Sequence, residues 1–148
     1  MAAFVDANIP IFASGTSHPL KAPCQAIIIA LLTRPGTGVS SAEVLQELLH
    51  VYLRRGETAR ARTTVVEFDE VLDARLEPIT REDVLRAATG SFPARLQARD
   101  RLHLAVMERL GISDIISTDT GFDGVPGFRR LDPMTFASWR EEVFGTVA

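Results

Sequence analysis

The chain has 148 residues, of which 46% are hydrophobic and 24% charged, and its formal net charge is −3. These values are typical of one globular domain, and the acidic balance excludes a protein that binds nucleic acid through overall positive charge alone. A single cysteine excludes a disulfide framework. The first residues do not resemble a signal peptide, and the longest apolar run, residues 26–32, is too short to cross a membrane. We therefore expect one cytoplasmic domain over residues 1–148 with no membrane span.

The first half of the chain predicts one strand followed by helices. Residues 2–6 are apolar and end in an acid, which is typical of a buried strand, and residues 19–34 predict a helix. A stronger helix pattern covers residues 40–55, where Ser40 has the character of an N-cap and Glu43 would complete a capping box. Its apolar positions recur at helical spacing, so one face of this helix is expected to be buried.

The second half alternates between helices and strands. The predicted elements are a helix over 58–74, a strand over 75–79, a short helix capped by Thr80, a helix over 93–110 that starts nearer 98, strands over 114–118 and 128–131, and a final helix opened by Asp132 and Pro133. This alternation predicts an α/β fold with a mainly parallel sheet covered on both faces. In such sheets, ligands bind outside the carboxyl ends of the strands.

Two acids lie at the carboxyl ends of the clearest predicted strands. Asp6 ends the first strand, and Asp119 follows residues 114–118. A carboxylate that emerges from a buried strand must be paired, hydrogen-bonded or bound to a metal, although Asp6 is also compatible with a helix N-cap. The hydroxyl of Thr118 is expected to orient Asp119, and Asp123 in the next turn either joins the site or caps that turn.

Two further acids lie on predicted helices. Glu47 has no local partner and stands beside the apolar face of its helix, so a site role competes with that of a solvated charge. Asp100 shares a face with His103, and its alternative is a favourable interaction with the helix N-terminus. We expect His103 to be packed or hydrogen-bonded rather than catalytic, and Asn8 to be a cap or a supporting donor.

Four acids from two strand ends and two helices are suited to binding a hard cation. Mg²⁺ and Mn²⁺ prefer carboxylate oxygens and need few protein ligands because they keep several waters. A bound ion would relieve the mutual repulsion of the carboxylates. The residues in question are Asp6, Glu47, Asp100 and Asp119.

The motifs around these acids resemble the PIN-domain family, especially the VapC-type toxins of toxin–antitoxin modules. The resemblance covers residues 3–131 and rests on four segments in order: Phe-Val-Asp-Ala-Asn at 4–8, Ser-Ala-Glu-Val-Leu-Gln-Glu-Leu-Leu at 41–49, Ala-Arg-Asp-Arg-Leu-His-Leu-Ala at 98–105 and Ile-Ile-Ser-Thr-Asp-Thr-Gly-Phe-Asp at 115–123. One departure is Ala7, where family members often carry threonine.

The resemblance implies a three-layer α/β/α fold with a five-stranded, mainly parallel sheet. It also implies a metal-dependent endoribonuclease that leaves 5′-phosphate and 3′-hydroxyl ends, forms homodimers and is blocked by a small antitoxin. By this resemblance Asp6, Asp100 and Asp119 would hold Mg²⁺ or Mn²⁺, and Glu47 would bind a second cation or orient water. Asn8, Thr118 and Asp123 would support the site.

Four arginines, at positions 54, 55, 60 and 62, lie on the two sides of the loop after the helix that carries Glu47. Arg54 and Arg55 are candidates for contacts with RNA phosphates, and the alternative is a solvated charged turn.

The acids are also compatible with other classes of protein. Receiver domains and phosphatases of the haloacid dehalogenase type also place acids at strand ends, but both need a late lysine, and Lys21 is the only lysine here. A non-catalytic PIN-like RNA-binding module is disfavoured because all four acids are present. A housekeeping PIN nuclease in RNA processing cannot be separated from a toxin by sequence.

Overall fold

The computed structural model describes residues 2–73 and 75–146. In chain order its elements are β1 (Ala3–Val5), α1 (Asn8–Ser14), α2 (Lys21–Thr33), β2 (Gly38–Ser41), α3 (Ala42–Arg54), α4 (Thr58–Val71), β3 (Leu76–Glu77), α5 (Arg81–Thr89), α6 (Ala98–Leu110), β4 (Asp114–Ile116), β5 (Arg129–Leu131) and α7 (Phe136–Phe144). Short 3₁₀ turns cover Thr120–Phe122 and Pro133–Thr135. No helix in the described ranges is long and apolar enough to cross a membrane.

The five strands form one parallel sheet in the order β3-β2-β1-β4-β5. The central strand β1 consists of Ala3, Phe4 and Val5, and each of them is fully buried. Successive side chains of a strand point to opposite faces, so burial of all three requires helices on both faces of the sheet. This arrangement confirms the predicted three-layer α/β fold, with a sheet that is entirely rather than mainly parallel.

The strand β2 was not predicted, and the proposed cap at Ser40 was wrong. Ser40 lies inside β2, where its hydroxyl donates a hydrogen bond to the carbonyl of Val5 at 2.8 Å, and α3 begins two residues later at Ala42. Glu43 therefore completes no capping box and instead lies 3.6 Å from Arg99. A short polar strand is stabilised by pairing with β1 and β3, which local sequence does not report.

The helices agree with the predictions only in part. Helix α1 was not among the predicted elements, although the alternative role of Asp6 as a cap implied a helix there. Pro10 lies in its first turn, where proline is tolerated. Helix α4 ends at Val71, and the predicted end at Ala74 lies outside the described residues. Helix α6 begins at Ala98, the later of the two predicted starts, and the 3₁₀ turn opened by Pro133 precedes α7.

Asp83 joins the start of α5 to α6. Its carboxylate accepts a 2.9 Å bond from the backbone N–H of Thr80, whose hydroxyl accepts one from the N–H of Asp83 at 3.1 Å. The guanidinium of Arg109 donates two bonds of 3.0 Å to the same carboxylate. Burial opposes ionisation, but Arg109 and Thr80 outweigh it and hold the pKa of Asp83 below its ordinary value of 3.8.

We predict that Asp83→Asn lowers the free energy of unfolding at pH 7 by about 1–2 kcal/mol, because a buried charged hydrogen bond is lost. The folded-state pKa of Asp83 is depressed, so its contribution is complete above pH 3.8 and is lost as the pH falls through the folded-state value. Urea unfolding of the wild type and of Asp83→Asn at pH 7 and pH 3 measures the loss of stability and its dependence on pH. A stability difference of the same size at both pH values would contradict this account, and Glu82→Gln on the exposed side of α5 is the control.

Candidate functional site

Asp6 is the buried centre of the site. It follows β1 and is 5% exposed. One carboxylate oxygen, Oδ1, accepts a 2.8 Å hydrogen bond from the backbone N–H of Ala7. The other, Oδ2, accepts bonds from the hydroxyl of Ser117 at 2.7 Å and the amide of Asn8 at 3.2 Å. Burial raises the pKa of Asp6 despite these bonds and the nearby His103. Asp6 is therefore not the cap of α1.

The hydroxyl that organises the strand ends belongs to Ser117 and not, as expected, to Thr118. Besides donating to Asp6, it accepts bonds from the backbone N–H of Asp119 at 3.0 Å and from the amide of Asn8 at 3.2 Å. The oxygen of the Asn8 amide accepts from the backbone N–H of Thr118 at 3.1 Å. The orientation of Asp119 by the Thr118 hydroxyl stays a prediction, whereas register decides which side chain faces Asp6. Val5 pairs with Ile116, so the residues that follow them, Asp6 and Ser117, lie side by side.

Glu47 faces the same buried region from α3. Its carboxylate lies 3.6 Å from the guanidinium of Arg99 and 3.7 Å from Nε2 of His103. Burial alone would raise the pKa of Glu47, but the neighbouring imidazole and guanidinium outweigh burial and lower it. The solvated-charge alternative is therefore excluded by these contacts.

His103 lies between the acids and was not assigned to the site from sequence. Its side chain is 1% exposed, and its Nε2 atom lies 3.6 Å from Oδ1 of Asp6. Burial lowers the pKa of His103, but Glu47, Asp6 and Asp100 together raise it above its ordinary value. Helical spacing had placed His103 on the face of Asp100, but spacing along one helix cannot reveal partners on another element.

Asp100 and Asp119 lie on the wall of an adjoining cleft of about 750 Å³ that Glu47 also lines. Asp100 is the third residue of α6 and accepts a 3.2 Å bond from the backbone N–H of Gln97, so it also fulfils the capping role considered above. Asp119 accepts a 2.8 Å bond from the backbone N–H of Gly121. Burial raises the pKa of Asp100, as do the charges of Asp119 and Asp6.

Asp123 does not contact the acids. Its carboxylate accepts bonds of 2.8 and 3.2 Å from the guanidinium of Arg130, which lowers the pKa of Asp123. Arg130 also donates a 3.1 Å bond to the carbonyl of Ser117. Asp123 can therefore support the site only indirectly, through Arg130.

The arginines nearest the acids are not the two selected from sequence. Arg95 and Arg99 line the acidic cleft, whereas its lining includes neither Arg54 nor Arg55. Arg55 instead stacks on the ring of Tyr52, 5.7 Å from its centroid. Arg95 lies in the loop before α6, which was predicted as part of a helix over 93–110, and Arg99 lies in α6 itself. Spacing along one helix did not indicate that this segment borders the site.

The donor atoms fit a divalent cation. Among the described residues, one ligand atom each from Asp6, Glu47 and His103 lie within 4.8 Å of one another. Asp100 and Asp119 lie outside that group and line the adjoining cleft together with Glu47. Burial opposes ionisation of Asp6 and Asp100, and a cation would offset that cost.

Comparisons with known proteins identify the family of this chain. The PIN domain family model matches residues 3–127. Ribonuclease VapC13 of Mycobacterium tuberculosis is 40% identical over 132 residues, which cover 86% of this chain and 97% of that protein.

Two solved structures share the fold. The crystal structure of Mycobacterium tuberculosis VapC20, a sarcin–ricin loop cleaving toxin, matches with a TM-score of 0.65 and 18% identity, over 86% of this chain and 99% of that one. A toxin–antitoxin complex from Klebsiella pneumoniae matches with a TM-score of 0.59 and 19% identity, over 89% and 98% of the two chains. The chain therefore belongs to the PIN-domain family and, within it, to the VapC-type ribonucleases.

Proposed function

We propose that this chain is the toxin of a toxin–antitoxin pair and cleaves RNA with Mg²⁺ or Mn²⁺ held by Asp6, Asp100 and Asp119. The observation that carries the proposal is that Glu47, Asp100 and Asp119 line one cleft, and that Asp6 is buried next to Glu47. Carboxylates from separate elements converge in this way at a buried position only if something offsets their repulsion.

The proposed roles of the acidic side chains differ with their exposure. Asp6, fixed by Ser117 and Asn8, is the rigid ligand at the base. Asp100 and Asp119, on the cleft wall, would hold the ion at the side that faces RNA. Glu47 would orient the attacking water or bind a second ion.

The proposed reaction is hydrolysis of one phosphodiester bond. The bound cation would supply an activated water and stabilise charge on the phosphate oxygens. Water oxygen bonds to phosphorus as the bond from phosphorus to O3′ breaks, and the leaving oxygen takes a proton. The products are a 5′-phosphate and a 3′-hydroxyl. We further propose a cognate antitoxin, a homodimer and a cytoplasmic location, all from membership of the family.

Arg99 is the better candidate for a phosphate contact than the pair predicted from sequence. Its side chain is 40% exposed at the cleft, while Arg95 donates bonds to the carbonyls of Gly121 and Asp123 at 3.2 and 2.6 Å. Arg95 therefore fixes the turn that carries Asp119 against the loop before α6. Arg54 and Arg55 remain a prediction for RNA that extends past the cleft.

We predict that Asp100→Asn lowers the cleavage rate about 100-fold or more, because the amide keeps the shape but loses the charge that holds the cation. The measurement is a map of new RNA 5′ ends after induction in bacterial cells. Discrete 5′-phosphate ends should appear with the wild type and with the control Asp69→Asn on α4. Identical maps for wild type and Asp100→Asn would contradict metal-dependent cleavage, and cleavage by the purified chain should also stop with a chelator.

We predict that Arg99→Gln weakens binding of a stem-loop RNA and reduces the slope of log affinity against log salt by about 0.7, the value for one single-strand phosphate contact. Fluorescence anisotropy in the Asp100→Asn background measures binding without cutting. Arg54→Gln is the matched comparison. A larger loss with Arg54→Gln than with Arg99→Gln would move the RNA contact to the end of α3.

A further inference from the structure

The imidazole of His103 is the one buried titratable group at the site that the proposed reaction does not use. It projects from α6 with 1% of its side chain exposed. Its ring lies 5.2 Å from the ring of Phe4, the middle residue of the central strand β1. RNA cannot reach a side chain this buried, so any role of His103 must pass through its neighbours.

Those neighbours are two carboxylates from different elements. Nε2 of His103 lies 3.6 Å from Oδ1 of Asp6 and 3.7 Å from Oε2 of Glu47. A hydrogen on this ring nitrogen, in the neutral or the charged imidazole, would attract both carboxylate oxygens. The other ring nitrogen, Nδ1, is buried without a hydrogen-bond partner in the described part of the chain. The polar contacts of the ring are therefore directed at the two acids.

We propose that His103 is a positioning residue, which holds Asp6 beside the proposed cation and holds Glu47 where it would orient a water on that cation or bind a second one. The inference rests on the proposed function. Asp6 needs little help, because Ala7, Asn8 and Ser117 already fix it. Glu47 is different, because its other partner is Arg99, which is 40% exposed. Without the imidazole, repulsion from Asp6 and attraction to Arg99 would both draw Glu47 toward solvent.

A competing role for His103 is direct ligation of the metal through Nε2. The two roles place opposite demands on that nitrogen, since a ligand needs a free lone pair and a bridge needs a hydrogen. They also differ in metal preference. Imidazole suits transition metals better than Mg²⁺, so loss of a ligand would weaken Mn²⁺ more than Mg²⁺.

The test uses side chains that reproduce different parts of the imidazole. The amide nitrogen of Gln reaches the position of Nε2 and can donate to both acids, but it has no lone pair available for a metal. The amide oxygen of Gln could bind an ion only as a hard ligand, which does not favour Mn²⁺ over Mg²⁺ as imidazole does. The amide of Asn is shorter and reaches only the position of Nδ1. The variants are His103→Gln, His103→Asn and the apolar His103→Leu, each checked for a folded state by thermal unfolding. Calorimetric titration with Mn²⁺ and Mg²⁺ alone, without RNA, measures affinity.

We expect His103→Leu and His103→Asn to weaken binding of both metals about tenfold or more, the usual effect of removing a group that orients a ligand. His103→Gln should stay within about threefold of wild type. If His103→Leu does not fold, the comparison of Gln with Asn still decides. Glu47→Gln should cost less affinity in the His103→Asn background than in the wild type, because the bridge to Glu47 is already lost.

Three results would overturn the inference. The first is that His103→Asn binds metal with wild-type affinity. The second is that His103→Gln folds but does not restore metal affinity. The third is that every variant loses affinity for Mn²⁺ but not for Mg²⁺, which would indicate that His103 is a metal ligand. The proposed function fails separately. If the wild type binds no metal, or if Asp100→Asn binds metal as tightly as the wild type, both the proposed function and this inference are contradicted. If Asp100→Asn weakens metal binding but the His103 variants do not, only the inference is contradicted.

Discussion

The parallel pairing of β1 with β4 is the constraint on which the site depends. Phe4 pairs with Ile115 and Val5 with Ile116, so the next residues, Asp6 and Ser117, emerge side by side at the carboxyl edge. A slip of one residue would turn Ser117 to the other face and leave Asp6 without its 2.7 Å hydrogen bond. The fully buried side chains of β1 hold that register, because any slip would also expose the core.

Burial and charge are in conflict at this edge, and the surrounding groups reduce the conflict without removing it. Asp6 accepts three hydrogen bonds, yet burial still raises its pKa. His103 and Arg99 lower the pKa of Glu47, whereas burial and the charges of Asp119 and Asp6 raise the pKa of Asp100 despite the backbone bond from Gln97 and the nearby His103. A divalent cation would offset the remaining cost of these charges, which agrees with the proposed chemistry.

Sequence predicted the acids better than it predicted their partners. Asp6 and Asp119 were identified because a carboxylate at the end of an apolar strand is unusual, and the order of the motifs gave the family. Ser40 was misread because its strand is defined by its neighbours in the sheet. The roles of Ser117, His103 and Arg99 depend on register and on the packing of α6 against α3, and neither is encoded in local spacing. Contacts between distant elements are the part that required a structure.

The most direct test of the central claim is a crystal structure of the chain grown with Mn²⁺ and measured for anomalous scattering. We expect a peak in the acidic cleft, 2.0–2.6 Å from carboxylate oxygens of Asp6, Asp100 or Asp119 where the contact is direct. The His103 imidazole should still face Asp6 and Glu47. A cleft without a peak at saturating Mn²⁺ would contradict the metal-dependent mechanism. A peak bound through Nε2 of His103 would keep the metal and contradict the assignment of its ligands.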